Sequence, residues 1–102
     1  MNQISNLTEL NEILKRDFTI LKFSADWCGP CKRISPLFEK LSKDNSNIYF
    51  AEVDVDVSQD ICEKYKISGL PTFVSFKKEE EISRFSGANE ENLKNLVSNV
   101  LV

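Results

Sequence analysis

The sequence predicts an α/β protein in which a largely parallel sheet is covered by helices on both faces and closed by an antiparallel hairpin. Three observations carry this. Residues 18–23 and 48–57 are short apolar runs of the kind that make buried strands. Stretches with helical apolar spacing alternate with them, which favours parallel strands joined by crossovers. Two further strand-like runs, 72–76 and 82–85, are separated only by Lys77-Lys78-Glu79-Glu80-Glu81, a separation suited to a hairpin.

The elements follow in order. Residues 3–5 suggest a short first strand. Asn6 is placed to cap a first helix, with Glu9 three residues on as in a capping box, and Leu7, Leu10 and Leu14 recur at helical spacing. Residues 18–23 form the first buried strand. Ile34, Leu37, Phe38 and Leu41 then mark one helical face, with Pro36 expected to kink that helix. The second buried strand ends in the acidic alternation Asp54-Val55-Asp56. Ser58 is placed to cap a short helix carrying Ile61, Cys62 and Tyr65. After the hairpin, Asn89 caps a last helix with Leu93, Leu96, Val97 and Val100 on one face.

Composition bounds the function. The 102 residues are enough for one domain, residues 1–102, and a hydrophobic fraction of 41% supports a packed core. A net charge of −3 with no basic stripe argues against nucleic acid as a partner. No apolar run approaches a bilayer span, so no membrane association is expected. The first residues lack a secretory pattern, and the expected location is cytoplasmic. With no histidine in the chain, a Cys–His protease and a mixed Cys/His zinc site are excluded. Nothing demands more than a monomer.

Chemistry concentrates in Trp27-Cys28-Gly29-Pro30-Cys31-Lys32. A cysteine is a good nucleophile only as thiolate, and its free pKa is about 8.5. Cys28 sits just before a helix that Pro30 suits at its first turn. The helix end offers free N–H donors and partial positive charge to a sulfur anion. Cys28 is therefore the expected exposed, attacking thiol and Cys31 the resolving thiol one turn inside. The competing readings are a zinc half-site or two inert thiols. Structural zinc needs about four ligands, and only Cys62 and carboxylates remain, so no metal and no organic cofactor are expected.

Residues 23–32, Phe-Ser-Ala-Asp-Trp-Cys-Gly-Pro-Cys-Lys, resemble the active-site segment of the thioredoxin family. Gly69-Leu70-Pro71-Thr72 resembles that family's cis-proline loop, and Phe85-Ser86-Gly87-Ala88-Asn89 its third surface loop, most closely in eukaryotic members. The segments keep the family's order and spacing along essentially the whole chain. The resemblance implies a thioredoxin fold, a central mixed five-stranded sheet flanked by four helices. It implies reduction of disulfides in client proteins, with electrons from a thioredoxin reductase. Gly29 and Pro30 would tune the redox pair, and Trp27 would shield it. Pro71 would hold the Leu70 and Thr72 backbone for strand-like pairing with a substrate. Gly69, Gly87 and Ala88 would keep the surface flat for partners. On its residues alone, Pro71 is an ordinary turn proline, since only about 5% of X–Pro bonds are cis.

The chain departs from the family pattern at Lys22, six residues before Cys28. Family members usually carry a buried aspartate there, thought to move the proton of the resolving cysteine. A lysine in a buried strand is costly unless paired. Two arrangements satisfy it. In the sheet that the resemblance implies, the strand of Glu52 lies beside that of Lys22, and alternation then lets the two side chains pair, with polarity inverted relative to family members that carry a lysine near the Glu52 position. Alternatively, its ammonium reaches water near Cys31. A cationic Lys22 would lower the thiol pKa values and make the pair more oxidising; a neutral Lys22 would take the proton that aspartate normally takes. Cys62 is expected to be a buried, inert thiol. The acidic turn at 79–81 lacks the family's usual glycine and is expected to be looser. Against the oxidoreductase stands a second reading, a thioredoxin-fold binding subunit using the surface around Trp27, Pro71 and Gly87. A third is a protein acting mainly as oxidant or isomerase. Two intact thiols favour the oxidoreductase.

Overall fold

A computed structural model describes all of residues 1–102. Nine elements follow one another: β1 (Asn2–Gln3), α1 (Leu7–Ile13), β2 (Phe18–Ser24), α2 (Gly29–Asp44), β3 (Tyr49–Asp54), α3 (Gln59–Tyr65), β4 (Thr72–Lys77), β5 (Glu80–Ser86) and α4 (Glu90–Val100). The five strands form one sheet in the order β1-β3-β2-β4-β5. β1, β3 and β2 run parallel; β4 and β5 add antiparallel strands at the far side.

Alternation along the central strands divides the core in two. Leu21 and Phe23 of β2, Ala51 and Val53 of β3, and Val74 and Phe76 of β4 pack on one face with Leu10 of α1 and Ile61 of α3. Ile20, Phe50 and Phe73 point to the other face, against Ile34 and Phe38 of α2 and Leu93, Leu96, Val97 and Val100 of α4. Phe38 makes edge contact with Phe50 at 5.3 Å between ring centroids and a tilted contact with Phe73 at 5.6 Å. These layers fix β2, the central strand, beneath α2, so the end of β2 and the start of α2 are held at the carboxyl end of that strand.

The caps show how local chemistry sets these boundaries. Asn6 accepts from the Glu9 N–H at 3.0 Å, while the Glu9 carboxylate reaches back to the Ser5 N–H at 3.1 Å. Asn89 accepts from the Asn92 N–H at 2.8 Å. α2 runs unbroken through Pro36, so the proline does not end it.

Several local expectations are corrected. β1 covers Asn2–Gln3, not residues 3–5. β3 ends at Asp54 because the chain turns there: the N–H groups of Val57 and Ser58 both bond the Asp54 carbonyl. Ser58 stands at the N-cap of α3 without capping it; its hydroxyl donates instead to the carbonyls of Ile4 and Ser5, tying α3 to the first loop. The hairpin is tight. β4 and β5 are joined by Lys78 and Glu79 alone, with Lys78 at φ 54° and Lys77 opposite Glu80. A bulge leaves Ile82 without an opposite residue, since Ser75 pairs with Ser83 and Phe76 with Glu81.

Candidate active site

The two thiols lie where β2 hands over to α2. The Cys28 N–H bonds the Ala25 carbonyl at 3.1 Å, closing a turn through Asp26 and Trp27. Cys28 then takes the N-cap position with extended backbone, φ −87° and ψ 105°. Its Sγ accepts from the Cys31 N–H at 3.2 Å, as a serine or aspartate oxygen would at a conventional cap. That N–H donor sits at the positive end of a sixteen-residue helix. Cys28 and Cys31 are joined in a disulfide, with their Cα atoms 5.3 Å apart.

Neither cysteine is open to solvent. Cys28 is 5% exposed and Cys31 2%, so the expected exposure of Cys28 is only a small advantage in this oxidised form. Ala25, Val55 and Leu70 pack against the pair. Trp27 is not among them: it is 70% exposed, and its indole Nε1 donates to Asp56 Oδ2 at 3.0 Å. Val55 and Leu70 add apolar cover to the pair that the sequence did not indicate.

The loop of Leu70, which packs against the disulfide, is tied to the loop at Gly87. The Leu70–Pro71 bond is cis. The Thr72 hydroxyl donates to the Gly69 carbonyl and lies 2.8 Å from the Ser86 hydroxyl. The Gly87 N–H bonds the Pro71 carbonyl at 2.8 Å. Gly87 has φ 105°, a conformation that suits glycine. At Gly69 a side chain would meet Ser86 at 3.5 Å, so the two loops approach closely there. Ala88 packs against the α2–α4 core.

Behind Cys31 lies a buried charge. Lys22 is 1% exposed, on the strand position opposite Glu52. Its Nζ is 3.5 Å from Glu52 Oε2 and donates to the Ser35 hydroxyl, which itself donates to the Cys31 carbonyl at 2.9 Å. Nζ also lies 5.8 Å from the centre of the Phe38 ring. The Ser24 hydroxyl donates to Glu52 Oε2 at 3.1 Å. Of the two arrangements open to Lys22, the structure has the pair with Glu52, the lysine side chain being 2% exposed. Lys22, Ser24, Cys31, Ser35 and Glu52 line one cleft of about 190 Å³.

Cys62 is half-buried against the α1–α3 face and is the one free cysteine. Burial pushes its thiol pKa up, and the nearby carboxylates of Asp60 and Asp54 push it further. No three His, Cys, Asp or Glu side chains are gathered where a metal ion could be held.

Four functional neighbours were not apparent from the sequence: Val55, Asp56, Ser24 and Ser35. The run Asp54-Val55-Asp56 carried a signal, but as the end of a strand. Ser24 shares a strand face with Lys22 by alternation. Nothing in the pattern marked Ser35.

The thioredoxin family profile matches residues 3–99. Human thioredoxin is 40% identical over 104 residues, covering 99% of both chains. A stretch of the Caenorhabditis briggsae peptide-N(4)-(N-acetyl-beta-glucosaminyl)asparagine amidase is 44% identical over 94 residues; the match covers 88% of this chain and 16% of that protein. Among solved structures, Plasmodium falciparum thioredoxin superposes with a TM-score of 0.94 at 35% identity, over 97% of this chain and 98% of its own.

Proposed function

Because this chain belongs to the thioredoxin family and is a thiol–disulfide oxidoreductase working through reversible oxidation of Cys28 and Cys31, we propose that Cys28 is its attacking thiol and Cys31 its resolving thiol. One observation supports this order above the others: Cys28 Sγ is the cap of α2 and accepts the Cys31 N–H at 3.2 Å. A thiolate at that atom gains a hydrogen bond and the helix dipole, while Cys31 gains neither from its own position inside the helix.

The cycle has two exchanges. The Cys28 thiolate attacks a client disulfide and releases one client thiol. Cys31 then attacks Cys28, frees the second client thiol and leaves Cys28–Cys31 oxidised. A thioredoxin reductase returns the dithiol, so the chain carries electrons from that enzyme to its clients. Gly29 and Pro30 tune the pair. Trp27, Gly69, Leu70, Pro71, Thr72, Gly87 and Ala88 form the face that receives an extended client segment. Residues 1–102 act as one thioredoxin domain, monomeric and cytoplasmic, with neither nucleic acid nor membrane as a partner. The net charge of −3 supports the exclusion of nucleic acid, and no helix is long and apolar enough to cross a membrane.

The test is a trap. A Cys31→Ser variant mixed with a disulfide-bearing client accumulates a covalent complex through Cys28 that dithiothreitol releases; a Cys28→Ser variant does not. Equal trapping by both variants overturns the assignment. The 70% exposure of Trp27 favours a second reading, in which the same face holds a partner without turnover. Under that reading a Cys28→Ser/Cys31→Ser protein keeps its function; under the first it loses it.

A further inference from the structure

We propose that Glu52 accepts the proton of Cys31 during resolution, and that Lys22 and Ser35 are positioning residues for that transfer. The inference rests on Cys31 as the resolving thiol. Resolution needs Cys31 as thiolate, yet the residue is 2% exposed. Its proton needs a route and an acceptor.

The cleft behind Cys31 supplies the route. At about 190 Å³ it is roomy enough for water, whose share of liquid volume is about 30 Å³. The groups along its inner wall are mostly spent as acceptors. The Lys22 ammonium carries no lone pair. The Ser35 hydroxyl accepts from Lys22 and donates to the Cys31 carbonyl. The Ser24 hydroxyl donates to Glu52.

Three carboxylates line the cleft: Asp26, Glu52 and Asp54. Asp26 is exposed, and Asp54 accepts the Asp56 N–H at 2.9 Å as part of a turn. Glu52 alone is held by the inner wall, by Lys22 at 3.5 Å and Ser24 at 3.1 Å. Its side chain is also 22% exposed. It therefore touches the buried wall on one side and solvent on the other, as a group that takes a proton inside and releases it outside must. The remaining charge on the cleft is Lys32.

The step balances as follows. In the mixed disulfide, Cys28 sulfur is bonded to a client sulfur. The Cys31 thiol proton passes through water in the cleft to the Glu52 carboxylate. The thiolate attacks Cys28 sulfur, the Cys28–Cys31 bond forms and the Cys28–client bond breaks. The client sulfur leaves with the electron pair and takes a proton from solvent. The dithiol has lost two electrons and the client disulfide has gained them. Glu52 returns its proton to water.

The experiment uses a chromogenic bis(nitrobenzoate) disulfide in single turnover by stopped flow. The first chromophore release reports attack by Cys28, and the second reports resolution by Cys31. At pH 7, Glu52→Gln lowers the ratio of second to first rate by about a hundredfold, at the low end of general-base effects. The deficit shrinks as pH rises past the ordinary thiol pKa of about 8.5, where hydroxide takes the proton. Lys22→Met/Glu52→Gln, which leaves no unpaired buried charge, shows the same deficit, so a folding defect is not its cause. Asp26→Asn, an equal charge change on the same cleft, stays within twofold of wild type. A Glu52→Gln ratio within twofold of wild type overturns the proposal, as does an equal deficit in Asp26→Asn. If Cys31→Ser retains the second release, the assignment of Cys31 itself fails, and this inference with it.

Discussion

Neutralising Glu52 alone leaves the Lys22 ammonium buried with a hydroxyl as its main partner. The structure sets the size of the effect. Two unit charges 3.5 Å apart attract by about 5 kcal/mol at an effective dielectric constant of about 20. The lysine side chain is 2% exposed and the glutamate 22%, so water reaches one end of the pair and screens it. Roughly half the attraction survives, a coupling of about 2 kcal/mol. Glu52→Gln then costs about 2–3 kcal/mol, because an uncompensated buried cation is worse than a lost bond. Lys22→Met costs about 1 kcal/mol, since the glutamate left behind can hydrate. The double variant then costs about 1–2 kcal/mol, less than the two single changes together. A 102-residue chain unfolds with an entropy of about 0.2 kcal/mol/K near its midpoint, so Glu52→Gln lowers Tm by about 10–15 °C. Urea unfolding of the four proteins of the cycle, in the oxidised form, measures the coupling directly. A coupling below about 0.5 kcal/mol would mean that the two charges are independently solvated and form no buried pair.

Three further outcomes are expected. Phe38→Ala, which removes the ring packed between Phe50 and Phe73 and beneath the Lys22 ammonium, costs about 3–5 kcal/mol in urea unfolding. Cys62 is alkylated more slowly than an exposed thiol at neutral pH, and its rate still climbs beyond pH 9.0, because burial raises its pKa. The sign for stability follows: the native thiol holds its proton longer than the unfolded one, so stability falls as pH rises through the ordinary thiol range. Burial raises the Tyr65 pKa also, extending that loss to higher pH; alkaline unfolding of Cys62→Ala is correspondingly shallower. Asp56→Ala frees the indole of Trp27, lowering the fluorescence anisotropy of this sole tryptophan while changing stability by less than about 1 kcal/mol.

What was legible in the sequence was what depends on period and local spacing. Facing Lys22 with Glu52 needed the strand order of the family's sheet as well as the parity of each strand, and the register bears the pairing out. The cap position of Cys28 followed from Pro30 and the apolar spacing beyond it. Less legible were contacts made by elements distant in sequence. Ser35 meets Lys22 only because α2 crosses β2 at that point, and the Asp56 bond to Trp27 joins two loops. Ser58 had the residue type of a cap, but two carbonyls of the first loop compete for its hydroxyl. The hairpin turn was misjudged because Lys78 adopts a positive φ that its side chain disfavours; pairing of β4 with β5 overrides that local preference.

Cys28 and Cys31 form a reducing couple for protein disulfides, with the Lys22 charge offset by Glu52. The most direct test is reduction of insulin disulfides driven by dithiothreitol, followed by equilibration of the pair against glutathione buffers. Turnover that Cys28→Ser/Cys31→Ser abolishes is expected, with a potential near about −270 mV, the value for thioredoxin. Absence of turnover with both thiols intact, or a potential shifted well above that value, contradicts that assignment.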